Sequence, residues 1–163
     1  MPLNNMRAEI PLFIGIVRPE RIINLRRLLL RAESPSEDIH FNGDDNPVTL
    51  HYAAFQSNDD MCAVGEPIGC VTVMLNSYNR EPAWQLRGMA VEENHRNCGV
   101  GARILKQVEW HLPKCVGLGH VKLMWCNARE PAVTFYKRNG WNVASSCFDN
   151  ASAGLHFILT KQL

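Results

Sequence analysis

The sequence predicts a mixed α/β or α+β fold, with a central sheet covered by helices, in one domain spanning residues 1–163. Three observations carry this expectation. Strand-like runs of apolar residues alternate with segments of helical period, and glycine and proline mark the junctions between them. A chain of 163 residues with 46% hydrophobic and 20% charged side chains is long enough to bury a core and too apolar to stay disordered. No internal repeat, linker or low-complexity tract divides it.

Along the chain, the apolar patch from Ile10 to Val17 is broken by Pro11 and Gly15. It is too short for a membrane span and lacks the basic-then-apolar order of a signal peptide. Pro19 to Arg31 reads as a helix, with Ile22, Leu25, Leu28 and Leu29 on one side and Arg21, Arg26 and Arg27 facing elsewhere. Ser34 to Pro47 is polar and reads as a loop. Val48–Gln56, Pro67–Leu75 and Trp84–Val91 are three strands, the first two joined by a turn at Ser57–Asp60. Gly99 to Leu112 returns to a helical period through Ile104, Leu105, Val108 and Leu112. Val121–Cys126 is a strand. Pro131–Asn139 is a short helix that starts on its proline, stops at Gly140 and carries Ala132, Phe135 and Tyr136 on one face. Trp141–Phe148 and Leu155–Thr160 read as a closing pair of strands.

Several classes of function are excluded. A formal charge of +1 gives no reason to expect nucleic acid or an anionic membrane as partner. The six cysteines form no CxxC pair and have no histidine at ligand spacing, which argues against a metal site and a redox dithiol. They read as reduced thiols, mostly small core residues, in a cytoplasmic protein. A homodimer is compatible with the sequence and not specified by it.

The strongest chemical signal is a strand, then Arg96-Asn97-Cys98-Gly99-Val100-Gly101, then an amphipathic helix. Glycines there let backbone approach a ligand, and the first turn of a helix offers unpaired N–H groups and a positive dipole end to a phosphate. Arg96 adds a charged fork. On spacing alone this is either a phosphate cradle or a tight turn. It is not a P-loop, because GxxxxGK[ST] is missing. Nor is it a dinucleotide fingerprint, because Ile104 stands where the third glycine belongs.

A second motif follows about thirty residues on: Ala132-Val133-Thr134-Phe135-Tyr136-Lys137-Arg138-Asn139-Gly140-Trp141. The pair, Arg-x-x-Gly-x-Gly before a helix and A-x-x-F-Y-x-x-x-G-W on a later one, resembles the GNAT superfamily of N-acetyltransferases over roughly Leu86 to Trp141. The resemblance implies a mostly antiparallel sheet splayed between its fourth and fifth strands, around Ala90 and Trp125, and acetyl-coenzyme A as cosubstrate. It implies that the backbone of Met89, Ala90 and Val91 bonds the pantetheine arm. The N–H groups of Asn97, Cys98, Gly99, Val100, Gly101 and Ala102, with the Arg96 side chain, would hold the pyrophosphate. Tyr136 matches the tyrosine that protonates the departing thiolate, although read alone it is more often a core tyrosine beside Phe135. The acceptor would be a small-molecule or peptide amine, attacking directly in a ternary complex with developing charge met by the Val91 N–H.

The chain departs from the pattern in two places. Arg129 stands where many relatives have an asparagine, and Asn127 lies two residues earlier as a candidate pantetheine contact. Gln85 stands where histone-modifying relatives carry a basic glutamate, so the base is open among Glu92, Glu93, His95 and water. Asp44 and Asp45 either attract a cationic amine or bond their own turn. Arg87 either faces the cleft and binds an acceptor carboxylate or lies on the surface. Cys98, beside a helix start, is expected to be alkylation-prone and not nucleophilic. The reading that competes with an enzyme is a non-catalytic coenzyme A-binding module.

Overall fold

In the computed structural model, residues 10–30, 40–58, 62–150 and 154–163 are described. The first element is an edge strand, β1 (Leu12–Val17), followed by helix α1 (Glu20–Leu30). Strands β2 (Leu50–Ser57), β3 (Ala63–Leu75) and β4 (Ala83–Val91) form an antiparallel meander. Helix α2 (Val100–His111) then crosses to β5 (Leu123–Arg129), which runs parallel to β4. A 3-10 turn at Glu130–Ala132 enters α3 (Val133–Arg138), and β6 (Asn142–Val143), β7 (Phe148–Asn150) and β8 (Gly154–Gln162) follow. The strand order is β1-β2-β3-β4-β5-β8-β6, with β7 also on β8; among the described pairs only β4 and β5 are parallel. The fold class is the expected mixed sheet flanked by helices.

Successive strand side chains point to opposite faces, and the two faces bury different things. On one, Val100, Ile104, Leu105 and Val108 of α2 join Tyr52, Val71, Trp84, Leu86, Cys126 and Tyr136. On the other, Ile22 and Leu25 of α1 pack on Ala53, Phe55, Cys70 and Ala90. Each such aliphatic side chain contributes roughly 1.5–3 kcal/mol on burial. With four buried apolar residues against two, α2 is the better anchored of these helices.

One irregularity positions the site. Cys70 pairs with Ala90 but Thr72 pairs with Arg87, so β4 carries an extra residue around Gly88 and Met89. Gly88 has φ 60°, and a Cβ there would lie 2.8 Å from the Phe41 ring. The position therefore requires glycine for both conformation and space. Because the bulge bends β4, its ladder with β5 ends at Leu86↔Cys126. The splay thus begins there and not around Ala90 and Trp125: Trp125 still pairs with Gln85.

Other sequence expectations shift as well. β1 forms despite Pro11 and Gly15, because an edge strand needs pairing on one side alone and the Phe13 ring lies over Gly15. The expected strand over Trp141–Phe148 is two short pieces. Between them the Ser145 hydroxyl accepts the Ile158 N–H at 2.8 Å and donates to the Ser146 carbonyl, replacing ladder bonds with side-chain ones. The Gly140 stop holds: at φ 82° it follows α3, with the Trp141 N–H donated to the Tyr136 carbonyl. Of the six cysteines expected mostly in the core, only Cys70 and Cys126 are buried, and Cys62 and Cys147 are exposed. No described helix is long and apolar enough to cross a membrane.

Candidate active site

Where β4 and β5 part, a slot of about 600 Å³ opens through the sheet. Met89 and Tyr136 line it from the α2 face; Phe41, Arg87, Asn127 and His156 line it from the α1 face.

On the α2 side the chain offers backbone. Glu92 donates its N–H to the Ile68 carbonyl at 2.8 Å, which makes Gly69↔Val91 a non-bonded pair of the ladder. The N–H and C=O of Val91 therefore point away from β3, toward the open edge of β4. Its carbonyl accepts Arg96 Nε at 3.0 Å, fixing the exposed guanidinium beside the start of α2. Asn97 (φ 61°) and Gly99 (φ 78°) turn the chain into the helix, and no side chain caps its first amides. A Cβ on Gly99 would meet nothing within 4 Å, so the space above these amides is open. Twelve residues of α2 lie behind it, leaving the Val100, Gly101 and Ala102 N–H groups and the positive dipole end facing that space. A Cβ on Gly101 would stand 3.1 Å from the Phe135 ring, so this glycine lets α2 close on α3. The residues present fit a pyrophosphate. The Cys98 thiol donates to the Arg96 carbonyl at 3.4 Å within the same turn.

Tyr136 is buried, wedged edge-on between Phe135 (5.2 Å) and Trp141 (5.4 Å). Its hydroxyl donates to Met89 Sδ, 3.5 Å away, on the same face of the slot. Burial, reinforced by the Cys126 thiol beside it, raises the phenol well above its ordinary value. Cys126 is itself pushed up to about 12 by burial. At neutral pH the Tyr136 hydroxyl keeps its proton.

The residues considered as bases sit elsewhere. Gln85 accepts from Asn76 Nδ2 at 2.8 Å. His95 is bonded to Glu92 at 2.6 Å and to Gln56 at 3.1 Å, and none of Glu92, Glu93 and His95 lines the slot. Asn127 alternates with Cys126 and Ala128, which belong to the α2-face core, so it lines the slot from the α1 face.

The α1 face holds a buried polar network drawn from distant segments. Arg26 was expected to face away from the apolar side of its helix. It lies four residues after Ile22, on the buried stripe, and is 1% exposed. Asp44, expected to attract a cationic amine or bond its own turn, is 4% exposed. Its carboxylate accepts Arg26 Nη1 at 2.5 Å, Arg87 Nη2 at 3.1 Å and the Phe41 N–H at 2.9 Å. An acceptor cation has no access to it. Burial pushes the Asp44 carboxyl up, but these bonds, Arg26 foremost, outweigh burial and hold it below its ordinary value. Arg26 also donates to the Thr72 hydroxyl, which lies 2.8 Å from His51 Nδ1, while His51 Nε2 lies 3.0 Å from the Asp44 carbonyl. A neutral His51 with its proton on Nε2 satisfies both contacts, and burial lowers its pKa accordingly. Asp45 stays exposed. An arginine on the apolar stripe of α1 was the signal for this network; an Asp-containing loop alone was not.

A model of the acetyltransferase (GNAT) domain matches residues 51–143, from β2 into β6. The Bacillus subtilis (strain 168) protein named uncharacterized N-acetyltransferase YitI is 33% identical over 156 residues, covering 92% of this chain and 95% of its own. Among solved structures, Arabidopsis thaliana NAA60 in complex with acetyl-CoA superposes with TM-score 0.67 at 16% identity, over 93% of this chain and 98% of that one. An aminoglycoside 6'-N-acetyltransferase complexed with coenzyme A gives 0.63 at 15% identity, over 92% and 96%. With its splayed sheet, its open glycine turn and these relatives, the chain belongs to the GNAT family and is an acetyl-CoA-dependent N-acetyltransferase.

Proposed function

We propose that residues 1–163 act as one acyltransferase domain, moving an acetyl group to a primary amine of a small molecule or peptide with Tyr136 as general acid. The cosubstrate supplies an acetyl thioester. The amides of Asn97, Cys98, Gly99, Val100, Gly101 and Ala102, with Arg96, bind its pyrophosphate, and the backbone of Met89, Ala90 and Val91 binds its pantetheine as an added strand. Asn127 contributes from the far wall of the slot. The amine nitrogen forms the new C–N bond as the C–S bond breaks. The Val91 N–H meets the charge that builds on the carbonyl oxygen. Tyr136 gives its proton to sulfur and regains one from solvent. The amine's surplus proton leaves to water.

The observation that carries this reading is the buried Tyr136 hydroxyl facing Met89 at the point where β4 leaves β5. The test is thermal unfolding with acetyl-CoA, using NAD and dephospho-coenzyme A as controls, followed by coenzyme release over an amine panel. Ligand at ~100 times its dissociation constant adds about 2.7 kcal/mol, a rise of several degrees. No rise at millimolar ligand would overturn the reading.

A further inference from the structure

Among the described residues, the buried part of the α1 face sets two arginines against one carboxylate. That carboxylate, Asp44, pairs with both Arg26 and Arg87, and His51 beside it is kept neutral by burial. Arg26 is sealed inside, but Arg87 reaches the slot with its side chain 20% exposed. Both hydrogen bonds of Arg87 use Nη2: to the Asn42 carbonyl at 2.5 Å and to Asp44 Oδ1 at 3.1 Å. Its Nε is buried without a partner, and Nη1 makes no hydrogen bond among the described residues. The guanidinium is thus held by one nitrogen, with the Nη1 donors to spare. On the opposite wall, Arg129 spends Nη2 on a long, 3.5 Å contact with the Leu30 carbonyl. The described lining of the slot holds these two arginines and no aspartate or glutamate.

We propose that the acceptor is an amine bearing its own carboxylate, a free amino acid or small amino-carboxylic acid, with the carboxylate bound by Arg87 and flanked by Arg129. The inference rests on the acyl-transfer reading above and narrows its substrate. A planar guanidinium with free donors at a half-buried site is the side chain best suited to a carboxylate. The same pair of arginines repels a diamine or any polycation, so it selects by rejection as well as by attraction. With its carboxylate on Arg87, the acceptor directs its amine into the splay, where the Tyr136 hydroxyl lies on the other face. The bond changes are those already given, and the carboxylate takes no part in them.

The test compares acceptors that share a skeleton: phenylalanine, phenylalaninamide and phenethylamine, and likewise lysine and cadaverine. The carboxylate-bearing member is expected to have the higher kcat/KM by at least about tenfold, the scale of one charge-assisted bond. Arg87→Lys should raise KM for the amino acid with kcat little changed and shrink that preference. Arg87 also contacts Asp44, so Arg129→Gln, which lies outside the buried network, serves as the variant that leaves folding intact; a reduced preference of a few-fold is expected. Equal or better turnover of the amide and the decarboxylated amine would overturn the proposal. So would an unchanged preference in a folded Arg87→Lys protein. If acetyl-CoA binds but no amine of either kind is acetylated, the acyl-transfer reading fails, and this narrowing falls with it.

Discussion

Apart from Tyr136, the α2 side of the slot comes from one continuous stretch, Met89 to Ala102, and presents mostly main chain. The α1 side gathers Arg26, Asp44, His51, Thr72 and Arg87 from two helix or loop segments and three strands, and works through side chains. The two therefore fail differently. A site made of amides tolerates most side-chain changes and is sensitive to a Cβ at a glycine. A buried charge network tolerates little at its centre, because removing Asp44 leaves two guanidinium groups unpaired.

The largest expected effect tests that second statement. Asp44→Ala would strand two guanidinium groups, one fully buried, and should cost about 3–5 kcal/mol of stability in urea unfolding. The carboxyl's folded pKa lies below its unfolded value of about 3.9. Its stabilisation is therefore complete above that value and lost as pH falls through the folded pKa. Wild-type stability should drop on acidification below about pH 4, and Asp44→Asn should lack that part of the drop. A loss under about 1 kcal/mol would show that α1 docks without the network.

Gly99→Val probes the backbone side. At φ 78° a branched residue is strained by roughly 1–3 kcal/mol, and its side chain would project into the open space above the α2 amides. The thermal rise with acetyl-CoA should vanish. If the variant is folded and still shifts fully, the pyrophosphate lies elsewhere.

The smallest structural change is Tyr136→Phe, which keeps the ring between Phe135 and Trp141 and deletes one hydroxyl. Turnover should fall by ~10²-fold with coenzyme affinity nearly unchanged. Unchanged turnover would return Tyr136 to the core and remove it from the chemistry.

How much of this was readable in advance follows the same division. The turn at Gly99, the period of α2 and the Pro131-to-Gly140 helix were legible because their signals lie within a few residues of one another. Arg26 was misplaced because a helix arginine normally faces water, and its partners Asp44 and Thr72 lie 18 and 46 residues away. β1 was missed because Pro11 before it and Gly15 within it read as breaks, while its pairing with β2 spans some forty residues of sequence.

By itself, the sequence determined the family, the cosubstrate and the open glycine turn, since local backbone conformation and helix-end amides follow from neighbouring residues. Tertiary structure decided where β4 leaves β5, which face each slot residue lines, and the pairing of Asp44 with two arginines. Those depend on a bulge set by Gly88 against Phe41 and on burial of charge between segments far apart in the chain. Burial is a property of the packed whole: the same aspartate is a solvated turn residue in the open chain and an arginine-clamped ion in the folded one.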